Sequence, residues 1–406
     1  MNQYGSLPRN AKACIAVEPL WSFFGPIVTY YAPLYQRARG LDEVQMGTIN
    51  SAHIAAGFIF FALASPITNR LGRRKTSLVF DLIAWSAAML VWAFAKNFAW
   101  FLAAGILNAV VRIVVVSWNL LITEDAREDQ RSSIHGWMHL IGSASGLVVF
   151  LGGLVIGRFG IIESMRVIYL VGALSMTFMF TIRYLLTRET AAGLILREKY
   201  KGRSFAASVF AQVGESGRAL RDPRFLRLLG LFFVANAVLY IDFYRILYLQ
   251  ETKALDSTTV AFMPAFGAVL SIILFFFVMP RLPKFRDTAV LSWSFLLCAV
   301  FQAGILLAPK NSVLLSVLAV GCLQTSFFLV QAFRDAVFMN SVDEQRRGDL
   351  FSLVQALTLL ISIPVGWLSG LMYSANSTLP FVMAFVLYLL GFVISGRIKT
   401  HEGAKL

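Results

Sequence analysis

A series of twelve long apolar runs limits what this chain of 406 residues can fold into. They lie at 12–36, 44–68, 76–95, 98–122, 133–157, 164–186, 226–250, 257–280, 288–308, 312–336, 350–373 and 378–396. About 20 apolar residues at a 1.5 Å rise cross roughly 30 Å of hydrocarbon. Inside lipid only helices and closed barrels satisfy the backbone. The runs are continuous rather than alternating, so the expected class is an all-α membrane protein with twelve transmembrane helices. Charged residues make up 14% of the chain, against about 25% in a soluble domain. The first run has neither a basic leader before it nor a small-residue cleavage pattern after it, and is expected to be retained.

The net charge of +14 would suit nucleic acid, but its distribution points elsewhere. Of 36 Lys and Arg residues, 26 fall on the side that carries both termini. Seven fall on the opposite side: Arg37, Arg39, Lys96, Arg158, Arg166, Lys253 and Lys310. By the positive-inside rule both termini are expected in the cytoplasm, in a plasma (inner) membrane. The basic surplus is then a topology signal that favours anionic lipid headgroups, and membrane lipids rather than nucleic acid are the expected partners.

The remaining three cations, Arg112, Arg245 and Arg334, lie within runs. A charge at the bilayer centre costs roughly 3 kcal/mol on insertion scales and normally faces a protein interior or a water-filled cavity. Glu18 and Asp242 are buried in the same way. Asp242 and Arg245 stand at i and i+3 on one helix face, which allows either an intrahelical pair or an outer gate. Tyr240 and Tyr244 beside them suit stacking on a sugar or an aromatic solute. Gln324 and Gln331, two turns apart, form a polar stripe suited to a hydroxylated ligand or to helix–helix hydrogen bonds. Trp118, Asn119 and Tyr30 are assigned to the same pathway.

No catalytic constellation and no phosphate-cradling Gly-Lys-Ser/Thr loop occurs, so no enzyme activity and no cofactor is expected. Cys14, Cys298 and Cys322 fall in apolar runs, without disulfide or metal spacing. His53, and the i, i+4 pair His135 and His139, are read as buried, hydrogen-bonded histidines; two ligands make no zinc site. Pro19, Pro26 and Pro33 would bend the first helix.

The chain reads as two halves, 1–186 and 226–406, joined by a polar segment at 187–225 whose middle could form a short interfacial helix. Two matched motifs support duplication. EDQR at Glu128–Arg131 returns as DEQR at Asp343–Arg346, and RLGRRK at Arg70–Lys75 returns as RLPKFR at Arg281–Arg286. Repeated halves of this kind occur in secondary transporters.

Twelve helices in two halves, a long central segment and a basic turn after the second helix resemble the major facilitator superfamily. The family's motif there is Gly-x3-Asp-Arg-x-Gly-Arg-Arg/Lys. Arg70, Gly72, Arg73 and Arg74 match it, while Ser65 stands for the leading Gly and Asn69 for the Asp. The resemblance implies two pseudo-symmetric six-helix bundles and alternating access. It makes Asn69, Arg70, Gly72, Arg73 and Arg74 gating candidates, with Asp81 or the acidic segment 124–129 supplying the missing charge. Arg334 and Asp335 are candidates for an inner gate. It also places the first, fourth, seventh and tenth helices around a central cavity, and three of those four carry the deep charges. Glu18 and Arg112 come out at similar depths, which allows an ion pair across that cavity.

The drug exporters of the superfamily carry a Pro in their fifth-helix glycine motif, where this chain has Leu147 after Gly142 and Gly146. The expected function is therefore a secondary transporter for a small organic solute, sugar-like or an organic anion, coupled to protons through Glu18 and acting as a monomer. The alternatives are an exporter of drugs or lipids on the same fold, and a non-transporting membrane sensor or assembly partner.

Overall fold

The computed structural model describes residues 4–200, 221–342 and 347–398. No strand occurs among them. The spanning helices are α1 (Arg9–Ala38), α2 (Glu43–Leu71), α3 (Arg73–Phe94), α4 (Phe98–Thr123), α5 (Glu128–Phe159) and α6 (Ile161–Leu186). A short α7 (Ala191–Tyr200) follows. Then come α8 (Pro223–Asp242), α9 (Ser257–Val278), α10 (Asp287–Leu307), α11 (Val313–Ser341), α12 (Arg347–Ala375) and α13 (Leu379–Gly396). Among the described residues eleven helices are long and apolar enough to cross a membrane. The fifth apolar run lies in α5, whose apolar part is Ala144–Phe159.

Local chemistry sets the helix ends. Asp256 accepts from the backbone N–H groups of Thr258 and Thr259 at 3.0 and 2.9 Å and starts α9. Asp222 does the same for Arg224 at 2.8 Å, with Pro223 in the first turn of α8. Each cap satisfies a donor that the first turn leaves without a partner. The prolines of α1 are accommodated within one continuous helix. Large apolar side chains such as Leu174, Leu314 and Trp293 are exposed, as a lipid-facing surface requires.

Contacts divide the chain into two compact units. One comprises Met1–Leu41, Ala52–Val148 and Phe159–Gly214; the other comprises Asp42–Ser51, Val149–Arg158 and Glu215–Leu406. In the first unit α1 packs along α6, and α3 lies against both α4 and α6. In the second, α10 packs on α11 and α13, α9 on α11, and α8 on α12 and α13.

Several spanning helices are irregular where the polar residues sit. α3 passes through a π-helical stretch at Leu82–Ala87, directly after Asp81. α4 tightens at Val110, whose N–H reaches back only to Leu107 O at 3.2 Å, two residues before Arg112. α8 ends at Asp242, tightens through Phe243 and Tyr244, and resumes as Arg245–Leu247 and a π-helical turn, Tyr248–Thr252. Such breaks in the i to i−4 ladder gather at functional sites.

The motif residues differ in part from the expected loops. Arg70 lies in the last turn of α2, Gly72 is the whole connection, and Arg73 opens α3. Glu128–Arg131 forms the first turn of α5 rather than a loop. Arg281–Lys284 lies in a 3-10 helix, Met279–Lys284. Asp343–Arg346 and the segment considered for an interfacial helix lie outside the described residues.

Gly72 shows why the turn needs glycine. Its φ is +87°, and an added Cβ would collide with the Glu189 carboxylate. That carboxylate accepts from the N–H groups of Arg73 at 2.8 Å and Arg74 at 3.2 Å, and so caps α3 from a distant segment. Gly72→Ala is expected to destabilise the unit by about 2–3 kcal/mol, combining a left-handed non-glycine residue with a displaced cap. A thermal melt in detergent reads this out, and an unchanged midpoint would contradict it.

Candidate functional site

Three polar groupings stand out, two in the first unit and one in the second. The first surrounds Arg73, which is 1% exposed. Its guanidinium grips the Glu124 carboxylate with Nε and Nη2, at 3.0 and 2.8 Å, and Nη1 donates to Asn69 Oδ1 at 3.1 Å. Thr190 Oγ1 donates to the same carboxylate at 2.5 Å. A two-pronged Arg–carboxylate contact fixes orientation as well as charge. Asn69 thus serves as an acceptor. Of the two acidic candidates, Glu124 is the one that contacts the motif, through Arg73, while Asp81 pairs with Arg183. Arg74 donates to Tyr184 O at 2.7 Å and lies over the Tyr184 ring at 3.8 Å. The grouping joins the α2–α3 turn, the end of α4 and the start of α7.

The second grouping is buried among α1, α3 and α6. Asp81 pairs with Arg183, and both side chains are 4% exposed. Asp81 and Arg183 are also the ionic groups that act on Glu18. Cys14, one turn from Glu18, shares the same surroundings. Glu18 thus lies within electrostatic reach of both Asp81 and Arg183, while Arg183 itself pairs with Asp81.

Arg112 is held differently. Its aliphatic stem lies against Gly57 of α2, where an added Cβ would meet Arg112 Cγ at 3.3 Å. His53, one turn away on α2, hydrogen-bonds through Nδ1 to Gly105 O at 2.9 Å, so Nδ1 carries the proton. Arg112 Nε is buried without a hydrogen-bond acceptor. Asn108, one turn before Arg112, donates to Ala84 O at 2.8 Å, inside the π-helical stretch of α3. The charge thus sits at a locally irregular helix with an unanswered donor.

The third grouping repeats that pattern in the second unit. Arg245 is 8% exposed and pairs with Asp242. Its Nη2 donates to Gln302 Oε1 at 3.3 Å, and Gln302 Nε2 donates to Phe381 O at 3.2 Å. Nη1 is buried and has no acceptor. The guanidinium also lies 5.8 Å from the centre of the Phe381 ring.

The other candidates are spread out. Trp118 packs on the apolar cluster of Cys14, Ile15, Leu121 and Ile122. Asn119 Nδ2 bonds its own helix at Val115 O, 2.9 Å away. Tyr30 sits edge-on to Tyr31. Tyr244 is fully buried, stacks on Tyr373 and donates to Glu43 O at 2.9 Å. Gln324 is exposed and lies over Gly267, whereas Gln331 Oε1 is buried without a donor. Arg334 binds Asp335 Oδ1 at 3.0 and 2.8 Å and lies 4.3 Å from the Phe232 ring centre. Since α11 runs on to Ser341, this pair stands roughly 10 Å inside the helix end rather than at it. The side chains of His135 and His139 lie outside the described residues.

A comparison with families places the chain. The family model described as Major Facilitator Superfamily matches residues 20–364. The chain belongs to that superfamily. No curated protein matches it by sequence.

Solved structures share its twelve-helix fold across nearly the whole length. A D-xylose-proton symporter matches with a TM-score of 0.74 at 13% identity, over 98% of this chain and 99% of that one. The inward open xylose transporter XylE from E. coli matches at 0.70 and 12%, over 97% of each chain. The human organic anion transporter MFSD10 matches at 0.65 and 18%, over 95% of this chain and 99% of that one. As a member of this superfamily the chain is an integral, multi-pass membrane protein.

Arg183 is the buried charged residue that sequence reasoning missed. It lies within four residues of the end of α6, where it merges with the basic surplus of the following segment. Its signal was available: Arg183 is preceded by an unbroken apolar helix, so its side chain must be answered inside the unit, and Asp81 is an acid within the neighbouring α3.

Proposed function

We propose that the chain is a secondary transporter that moves a small organic solute, sugar-like or an organic anion, by alternating access with coupling to protons. The observation that carries this reading is Arg245. A buried guanidinium with one nitrogen lacking an acceptor is costly to keep, and it stands where α8 is interrupted. A carboxylate or hydroxyl of a solute would answer Nη1, while Asp242 and Gln302 hold the fork in place. Arg112 Nε supports the same reading from the first unit.

Proton coupling is assigned to Glu18. Glu18 lies within electrostatic reach of the Asp81–Arg183 pair, whose charges balance, so a single proton on Glu18 neutralises the group. The termini are placed in the cytoplasm of a plasma membrane by the basic bias, and the working unit is taken as a monomer.

The test begins with a thermal-shift panel of sugars and organic anions on purified protein. The strongest stabiliser is then assayed for flux in proteoliposomes, with and without a pH jump. Flux that rises with the proton gradient is expected. Binding without flux would overturn transport, and flux indifferent to the gradient would overturn the coupling.

A further inference from the structure

The first unit contains a polar cavity whose lining includes neither Arg112 nor Glu18. It measures about 190 Å3 and lies where α2, α3, α6 and α7 end or begin. Arg70, Arg74, Lys75, Arg197, Tyr184 and Glu189 line it. Four cations thus converge on one concavity with one carboxylate among them. The Glu189 oxygens are already turned to the N–H groups of Arg73 and Arg74. Arg74 is anchored by Tyr184 O and the Tyr184 ring, which fixes where its charge points. Like charges gathered on a concave wall raise its potential, and α7 brings the cation Arg197 to it.

We propose that this cavity binds a phosphate-bearing anion, supplied either by an anionic phospholipid headgroup or by a free phosphate. Arginine forks match phosphate oxygens two at a time, and lysine adds a point charge. The cavity lies at the ends of membrane-spanning helices, the depth at which headgroup phosphates are found, and basic pockets there bind lipid headgroups. Tyr184, whose ring lies against the Arg74 guanidinium, is a residue type enriched at the same depth. An occupant would tie α7 to the α2–α3 turn and so act on the Arg73–Glu124 contact next to it.

The test uses the full chain in a neutral detergent. Inorganic phosphate is titrated against sodium chloride of equal ionic strength, and phosphatidylglycerol against phosphatidylcholine, with the thermal midpoint as readout. Lys75 and Arg197 are exposed, so Lys75→Gln with Arg197→Gln should keep the unliganded midpoint. At least one probe is expected to raise the wild-type midpoint beyond its control, with an apparent affinity at least tenfold weaker in the double variant. Lys75→Arg with Arg197→Lys keeps both charges and should respond more strongly than the Gln variant. Phosphate alone acting would identify a soluble ligand, and phosphatidylglycerol alone a lipid. No effect beyond the controls, or equal responses in wild type and the Gln variant, would overturn the proposal.

Discussion

Arg112→Ala is expected to reduce solute flux to background while the protein still folds. The expectation follows from how the charge is held. Arg112 Nε has no acceptor, and the stem rests on the bare backbone of Gly57. Removing it deletes a costly charge and one packing contact, so the melting midpoint should change little. The effect on a bound solute should be large. A hydrogen bond to a charged group contributes about 1.5–3 kcal/mol, or roughly 10- to 150-fold in affinity. Arg112→Lys retains the charge but not the planar fork, and should keep only part of the flux with an anionic solute. Measured flux in proteoliposomes, beside a melt of each variant, separates the two effects. Wild-type flux in Arg112→Ala would remove Arg112 from the pathway.

The fold was legible because lipid leaves the backbone so few choices. Each apolar run falls on one helix, except the seventh, which continues past the break after Asp242, and the caps at Asp222 and Asp256 sit where an acceptor precedes the run. Gly72 was legible for the same kind of reason, since two helices joined by one residue require a positive φ. The polar interior was harder to read. Pairing across helices depends on rotation about each axis, and the sequence fixes depth far better than rotation. Glu18 and Arg112 agree in depth, yet the charges that act on Glu18 are those of Arg183 and Asp81. The tightened steps at Val110 and at Phe243–Tyr244 have no glycine or proline to announce them. Nor did α7 declare itself, because AAGLILREKY is too short and too polar beside the spanning runs.

Asp81→Leu is the second substitution with a large expected effect, and here the fold itself should suffer. Asp81 and Arg183 are both nearly sealed from solvent. Removing one partner of a buried pair leaves an uncompensated charge and typically costs about 3–5 kcal/mol, whereas replacing both partners by apolar side chains is often neutral. Asp81→Leu should therefore lower the melting midpoint sharply, and adding Arg183→Met should restore most of it. The double variant then separates two roles that stability alone leaves merged. If the pair only ties α3 to α6, the rescued protein will transport with an unchanged response to a pH gradient. If Asp81, Arg183 and Glu18 work as one proton-handling group, the rescued protein will fold, bind solute and exchange it at equal pH, but an imposed gradient will no longer accelerate uptake. The proposed coupling predicts the second result, and a double variant with an intact gradient response would rule it out.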